Sequence, residues 1–155
     1  MISVKDVMTR DVITFREETP VDEIAQTLTS RHITGAPVVD ENQNVVGIVS
    51  EMDVISKHGE IARDIMSRDV ISITEDTGLD EAARLLVNAR IRRLPVTSRG
   101  RMVGLISRSD VLEVFAHSHW TCATCGNWQR GIERPERCSQ CGGQRFMLEH
   151  ADPGP

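Results

Sequence analysis

Cys122-Ala123-Thr124-Cys125-Gly126 and Cys138-Ser139-Gln140-Cys141-Gly142 form two matched knuckles, twelve residues apart. Two thiolates at this spacing can grip one ion. The Gly after each pair permits the tight turn that aims backbone N–H groups at sulfur. Four thiolates suit a tetrahedral zinc or iron site. With Cys122, Cys125, Cys138 and Cys141 all bound, no coordination position stays open, so the chemistry predicted is structural, not catalytic. The 155-residue chain has no other cysteine. In a cytosolic protein such clustering favours metal over disulfides.

A second chemical pattern occurs twice. Ser50-Glu51-Met52-Asp53 and Ser107-Arg108-Ser109-Asp110 each follow an apolar run. In each, the Ser can cap a helix and the Asp suits its first turn, where the helix dipole favours negative charge. A carboxylate can also accept from both hydroxyls of a vicinal diol. Basic residues gather near the second pattern only. Between Glu81 and Asp110 there is no acid, and the stretch holds Arg84, Arg90, Arg92, Arg93, Arg99, Arg101 and Arg108. Arginine forks match phosphate geometry and stay charged.

These residues are carried by one motif written twice. Asp6, Met8, Arg10, Asp11, Val12 and Ile13 recur as Asp64, Met66, Arg68, Asp69, Val70 and Ile71. The stripe Val21, Ile24, Ala25, Leu28 recurs as Leu79, Ala82, Ala83, Leu86, with the spacing of one helix face. Thr19 and Thr77 are expected to cap these helices, each with an Asp three positions on, and Pro20 suits the first helical position. Pro37-Val38-Val39 and Val45–Ser50 read as strands, as do Pro95-Val96-Thr97 and Met102–Ser107. Each copy therefore reads helix–strand–strand–helix after a short extended lead-in. The boundaries fall at 1–58, 59–116 and 117–150, with a disordered tail at 151–155.

Several of these stretches resemble CBS domains, the family named for cystathionine β-synthase. Gly47-Ile48-Val49-Ser50-Glu51-Met52-Asp53 and Gly104-Leu105-Ile106-Ser107-Arg108-Ser109-Asp110 are similar to its strand-to-helix signature. Asp6-Val7-Met8-Thr9 and Asp64-Ile65-Met66-Ser67 resemble its opening, and His32–Val38 and Ile91–Val96 also fit. The resemblance spans about residues 1–116. It implies an α+β fold with two tandem repeats packed as a pseudo-two-fold pair, often called a Bateman module. It further implies an adenosine nucleotide (AMP, ADP or ATP) or another adenosyl ligand in the clefts, and a homodimer. Asp53 and Asp110 would meet ribose, with Ser50 and Ser107 beside them. Arg92 and Arg93 would meet phosphate, and Pro95 is a further ligand-binding candidate. Ile13 and Ile71 are candidates for the base. Where copy two has Arg92-Arg93, copy one has Thr34-Gly35, so the stronger site is expected at Asp110 and a weaker or empty one at Asp53.

Residues 117–150 resemble a zinc ribbon or a rubredoxin-like knuckle pair, a small β ribbon needing its ion to fold. Zinc is expected and iron is the alternative. Trp120, Trp128 and Phe146 are expected to form its apolar core, and His117, His119 and His150 to lie at the surface. The body (1–116) carries a net charge of −5 and the rest of the chain zero. That balance argues against nucleic acid as a partner. No apolar run reaches a membrane span, and the start lacks a signal-peptide pattern, so a cytoplasmic protein without membrane contact is expected. No nucleophile–base constellation or Gly-rich phosphate loop appears, so an enzyme is not expected. The leading reading is a regulatory nucleotide sensor whose ribbon docks a protein partner. The alternatives are a nucleic-acid-associated transcriptional regulator, a rubredoxin-like iron redox protein, and a dimerisation scaffold.

Overall fold

In the computed structural model, residues 2–150 are described; the tail expected at 151–155 lies outside them. Helix α1 (Val21–Ser30) leads to β1 (Gly35–Val39), β2 (Val45–Ser50) and α2 (Glu51–Ser56). Short helix α3 (Ala62–Ile65) and strand β3 (Ile73–Thr74) open the second copy. It continues with α4 (Leu79–Asn88), β4 (Arg93–Ser98), β5 (Arg101–Ser107) and α5 (Arg108–His117). A three-stranded sheet follows: β6 (Ser118–Cys122), β7 (Trp128–Gln129) and β8 (Phe146–His150), in the order β7-β6-β8. Among the described residues no helix is long and apolar enough to cross a membrane.

The first copy's core gathers Ile24 and Leu28 of α1 with Phe15, Ala36, Val38, Val49, Ile65 and Met66. Burying a side chain such as Ile24 contributes roughly 1.5–3 kcal/mol. Strands β1 and β2 pair antiparallel, with Pro37 opposite Ile48 and an irregularity at Val38/Val39. In their turn, Asp40 Oδ1 accepts from the N–H groups of Asn42 and Asn44 at 2.9 Å each. Those bonds, the Asn44 backbone N–H foremost, hold the Asp40 carboxyl below its usual pKa of 3.8.

Helices α1 and α4 stop the same way. His32 (φ 54°) and Arg90 (φ 53°) turn left-handed two residues past α1 and α4. This conformation breaks the helix, and glycine is its commoner occupant. The starts differ from the expectation. Pro20 and Gly78 are the N-caps, without a side-chain bond, and Thr19 Oγ1 instead accepts from the Arg16 N–H at 3.0 Å. Backbone supplies what the Thr was expected to: Val21 N–H donates to the Glu60 carbonyl (2.9 Å), and Leu79 N–H to that of Ile2 (2.9 Å).

Those two bonds reveal an exchange. The second copy's lead-in docks on the first copy, where Ala62 N–H bonds Thr19 and Ser67 bonds Ile48 in both directions. The first copy's lead-in docks on the second, where Val4 N–H reaches the Thr77 carbonyl at 2.8 Å and Thr9 bonds Leu105 in both directions. The lead-ins are also not simply extended. Each contains a helical turn, at Val4–Asp6 and Ala62–Ile65. The repeated Asp closes that turn: Asp6 Oδ2 accepts from Ser3 N–H (3.2 Å), and Asp64 Oδ2 from Ile61 N–H (3.2 Å). Compact units accordingly gather residues from separated stretches. Of the described residues, one holds 2–8, 76–94 and 106–150; the other holds 9–75 and 95–105.

Candidate functional site

Both Ser-x-x-Asp patterns form complete capping boxes. Ser50 Oγ accepts from Asp53 N–H (3.3 Å), while Asp53 Oδ2 accepts from Ser50 N–H (2.8 Å) and Oγ (3.1 Å). In the second copy the distances are 3.4, 2.8 and 2.9 Å for Ser107 and Asp110. The structural role read from sequence is therefore real. In each case it uses one carboxylate oxygen, Oδ2.

The other oxygen separates the copies. Asp53 Oδ1 is held by Lys57 Nζ at 2.8 Å, one helical turn on. The residue one turn past Asp110 is Val114, and among the described residues nothing bonds Asp110 Oδ1. Lys57 was missed from sequence, although its i,i+4 spacing from Asp53 was a legible signal.

Around Asp110 the backbone is tied to the arginine stretch. Arg108 N–H donates to the Arg92 carbonyl (3.2 Å), and Arg108 Nε to that of Ile91 (3.1 Å). Arg92 is exposed and Arg93, which opens β4, is half-buried. Pro95 is buried in β4. Ile13 packs against the first copy's core, whereas Ile71 is 42% exposed.

The four cysteines converge. Their Sγ atoms all lie within 4.8 Å of one another. Cys122–Cys141 and Cys125–Cys138 are each 3.6 Å apart, near the roughly 3.8 Å edge of a tetrahedron with 2.3 Å metal–sulfur bonds. Gly126 (φ 78°) and Gly142 (φ 74°) adopt the left-handed turn each knuckle needs. Backbone N–H groups point at sulfur, from Gln140 to Cys138 and from Gly143 to Cys141, both at 3.4 Å. As free thiols the four are unequal. The N–H groups of Cys141 and Gln140 pull Cys138 down to about 6. Cys141 is pushed up to about 12, because the pull of the Gly143 N–H is outweighed by the Cys125 thiol and by burial. A bound cation would displace the thiol protons, and the four donors fit one four-coordinate ion.

One ribbon expectation fails. Trp120 is 6% exposed, but Trp128 is 54% exposed. Trp128 pairs with Thr121 across β6–β7, which puts it on the sheet face opposite Trp120. There it stacks near His119 (5.0 Å between centroids) under the Arg130 guanidinium (5.6 Å). Sequence alone gives no register, so it could not assign the face. Sequence reasoning also missed how the ribbon is tied to the second copy. Arg130 donates to the carbonyls of Ala116 (2.7 Å) and Phe115 (3.3 Å) at the end of α5. Arg84 of α4 pairs with Glu133.

The CBS domain family model matches residues 4–59 and 62–117. An uncharacterized protein of Methanocaldococcus jannaschii is 34% identical over 123 residues, covering 76% of this chain; the chain spans only 44% of that relative's length. Among solved structures, CBSX2 in complex with AMP is similar at a TM-score of 0.71 and 29% identity, over 74% of this chain and 96% of its own. The CBS domain pair of protein MJ0100 in complex with 5-methylthioadenosine and S-adenosyl-L-methionine gives 0.69 and 28%, over 75% and 97%. The family matches end at residue 117, before the cysteines. With two matched copies spanning residues 4–117, the chain belongs to the CBS-domain family.

Proposed function

We propose that this chain is a non-catalytic regulatory module that senses an adenosine nucleotide, and that its second copy holds the stronger site. The observation that carries the reading is the open Oδ1 of Asp110, set beside an Asp53 whose Oδ1 is occupied by Lys57. Ribose hydroxyls would donate to that oxygen. Arg92 and Arg93 would meet phosphate, with Ser107 beside Asp110. The adenosyl ligands in two similar structures, AMP and S-adenosyl-L-methionine with 5-methylthioadenosine, support the ligand class. Calorimetric titration with AMP tests it. One site per chain, or two of clearly unequal affinity, is expected; two equal and independent sites would overturn the asymmetry.

The quartet Cys122, Cys125, Cys138 and Cys141 is read as a structural zinc site, with Trp120 and its neighbours relying on it to stay folded. Metal analysis should return one zinc per chain. Exposed Met52 and Ile55 on α2, with Leu112 and Phe115 on α5, support a homodimer. The protein-partner role of the ribbon finds support in the outward Trp128, since exposed aromatic side chains are favoured anchors.

A further inference from the structure

The Trp120 face of the ribbon sheet does not close fully on the second copy. A cavity of about 670 Å³ remains there, within the range of small-molecule sites. Its wall is apolar: Leu79 of α4, Val114 of α5, and Trp120, Phe146 and Leu148 of the ribbon. Four charged side chains line the rest, namely Asp80, Glu133, Arg134 and Arg145.

Their pairing leaves a sign. Arg84 already answers both acids, pairing with Glu133 and lying 3.6 Å from Asp80. Arg134 donates to the Gln144 carbonyl at 2.6 Å. Arg145 is exposed, and among the described residues nothing bonds its guanidinium. The cavity is thus an apolar chamber whose unanswered charge is positive.

We propose that this cavity binds a small amphiphilic anion, an apolar body bearing one carboxylate, with the carboxylate on Arg145. The guanidinium fork matches a carboxylate. Each methylene buried against Trp120 and Phe146 is worth roughly fourfold in affinity. The occupant would touch α4, α5 and the ribbon together. The cavity shares no residue with Ser107, Asp110, Arg92 or Arg93, so it stands whether or not a nucleotide binds there.

The test uses the full, metal-loaded chain carrying Trp128→Phe. With no tyrosine in the sequence, Trp120 is then the only strong emitter. The probe is ω-bromodecanoate below its micelle concentration, with ω-bromodecanol as the uncharged control. Saturable quenching is expected, with the carboxylate binding about fivefold more tightly than the alcohol, as for an exposed ion pair. Arg145→Gln should bring the carboxylate closer to the level of the alcohol, with Arg134 left as the remaining cation of the lining. Absence of saturable quenching would overturn the proposal, as would equal binding of acid and alcohol to the Trp128→Phe chain. That comparison needs no Arg145 variant, so it decides even if Arg145→Gln fails to fold.

Discussion

Asp53→Asn and Asp110→Asn are the same substitution at equivalent positions, and the structure expects them to differ in binding but not in stability. Each removes a negative charge from a helix N-terminus, which costs about 0.3–1 kcal/mol. The amide oxygen still accepts from Ser N–H, so each capping box survives in part. Asp53→Asn also loses the Lys57 pair, worth about 0.3–0.5 kcal/mol at this spacing. Urea midpoints of the two variants should therefore fall by similar small amounts. Affinity should separate them. At Asp110 the lost group is the open carboxylate oxygen, and a hydrogen bond to a charged group contributes about 1.5–3 kcal/mol, so AMP should bind roughly 10–150-fold more weakly. At Asp53 that oxygen is already spent on Lys57, and the loss should stay within about threefold. Lys57→Met should do the reverse, improving the first site about twofold by freeing Oδ1. Calorimetric AMP titration alongside urea unfolding measures both quantities. Equal affinity losses in the two Asn variants would refute the reasoning. So would an Asp110→Asn affinity loss matched by an equally outsized loss of stability.

Gly47→Ala would place a Cβ 2.7 Å from Met66 Sδ and 2.9 Å from the Ser67 carbonyl oxygen, so urea unfolding should show about 1–3 kcal/mol of destabilisation. An unchanged midpoint would mean that the exchanged lead-in gives way freely. Removing metal with a chelator should expose Trp120 and shift its emission to the red, while the fold of residues 9–75 stays intact by hydrogen exchange. Emission that does not move after complete metal loss would contradict a metal-held ribbon. The Asp40 carboxyl titrates below 3.8 when folded, so its contribution is fully present above that value and is lost as pH falls through the lower folded pKa. NMR titration of its side-chain carboxyl should give that depressed midpoint, and Asn44→Gly, which keeps the backbone N–H but removes the 3.3 Å bond from Asn44 Nδ2 to Oδ2, should move it only part of the way back.

What the sequence shows well is what repeats. Helices α1 and α4 follow from their apolar spacing, and the Ser-x-x-Asp boxes follow from helix-cap chemistry. The cysteine cluster follows from two knuckles of equal length. What it hides is set by contacts between distant segments. Thr19 fits the cap pattern, yet the Glu60 carbonyl takes the α1 N-terminal donor from across the fold, and no local rule reports that. Asp6 and Asp64 repeat because each closes a turn of the exchanged lead-in, a role invisible until that turn is seen. Trp128 lies outward because one residue of register decides its face.

The two copies spend the same architecture differently at their last helices. Helix α2 has six residues and stops at Lys57, the residue that occupies Asp53. Helix α5 has ten, and Val111 alone among them is buried. A free helix of that length is not stable in water, so α5 depends on the packing of Val111 and Val114 and on what holds its two ends. One end is the Ser107–Asp110 box, the candidate ribose site. The other is held by Arg130, whose guanidinium meets the final carbonyls and complements the helix dipole. Because helix formation is cooperative, loosening one end lowers the population of the other. Arg130→Gln removes about 0.5–1 kcal/mol from the ribbon end. If α5 responds as a unit, AMP affinity should fall by up to about fivefold although the substitution lies far along the chain from Asp110. Faster hydrogen exchange confined to 114–117 with unchanged AMP affinity would show instead that the helix frays locally and that the ribbon does not reach the nucleotide site through it.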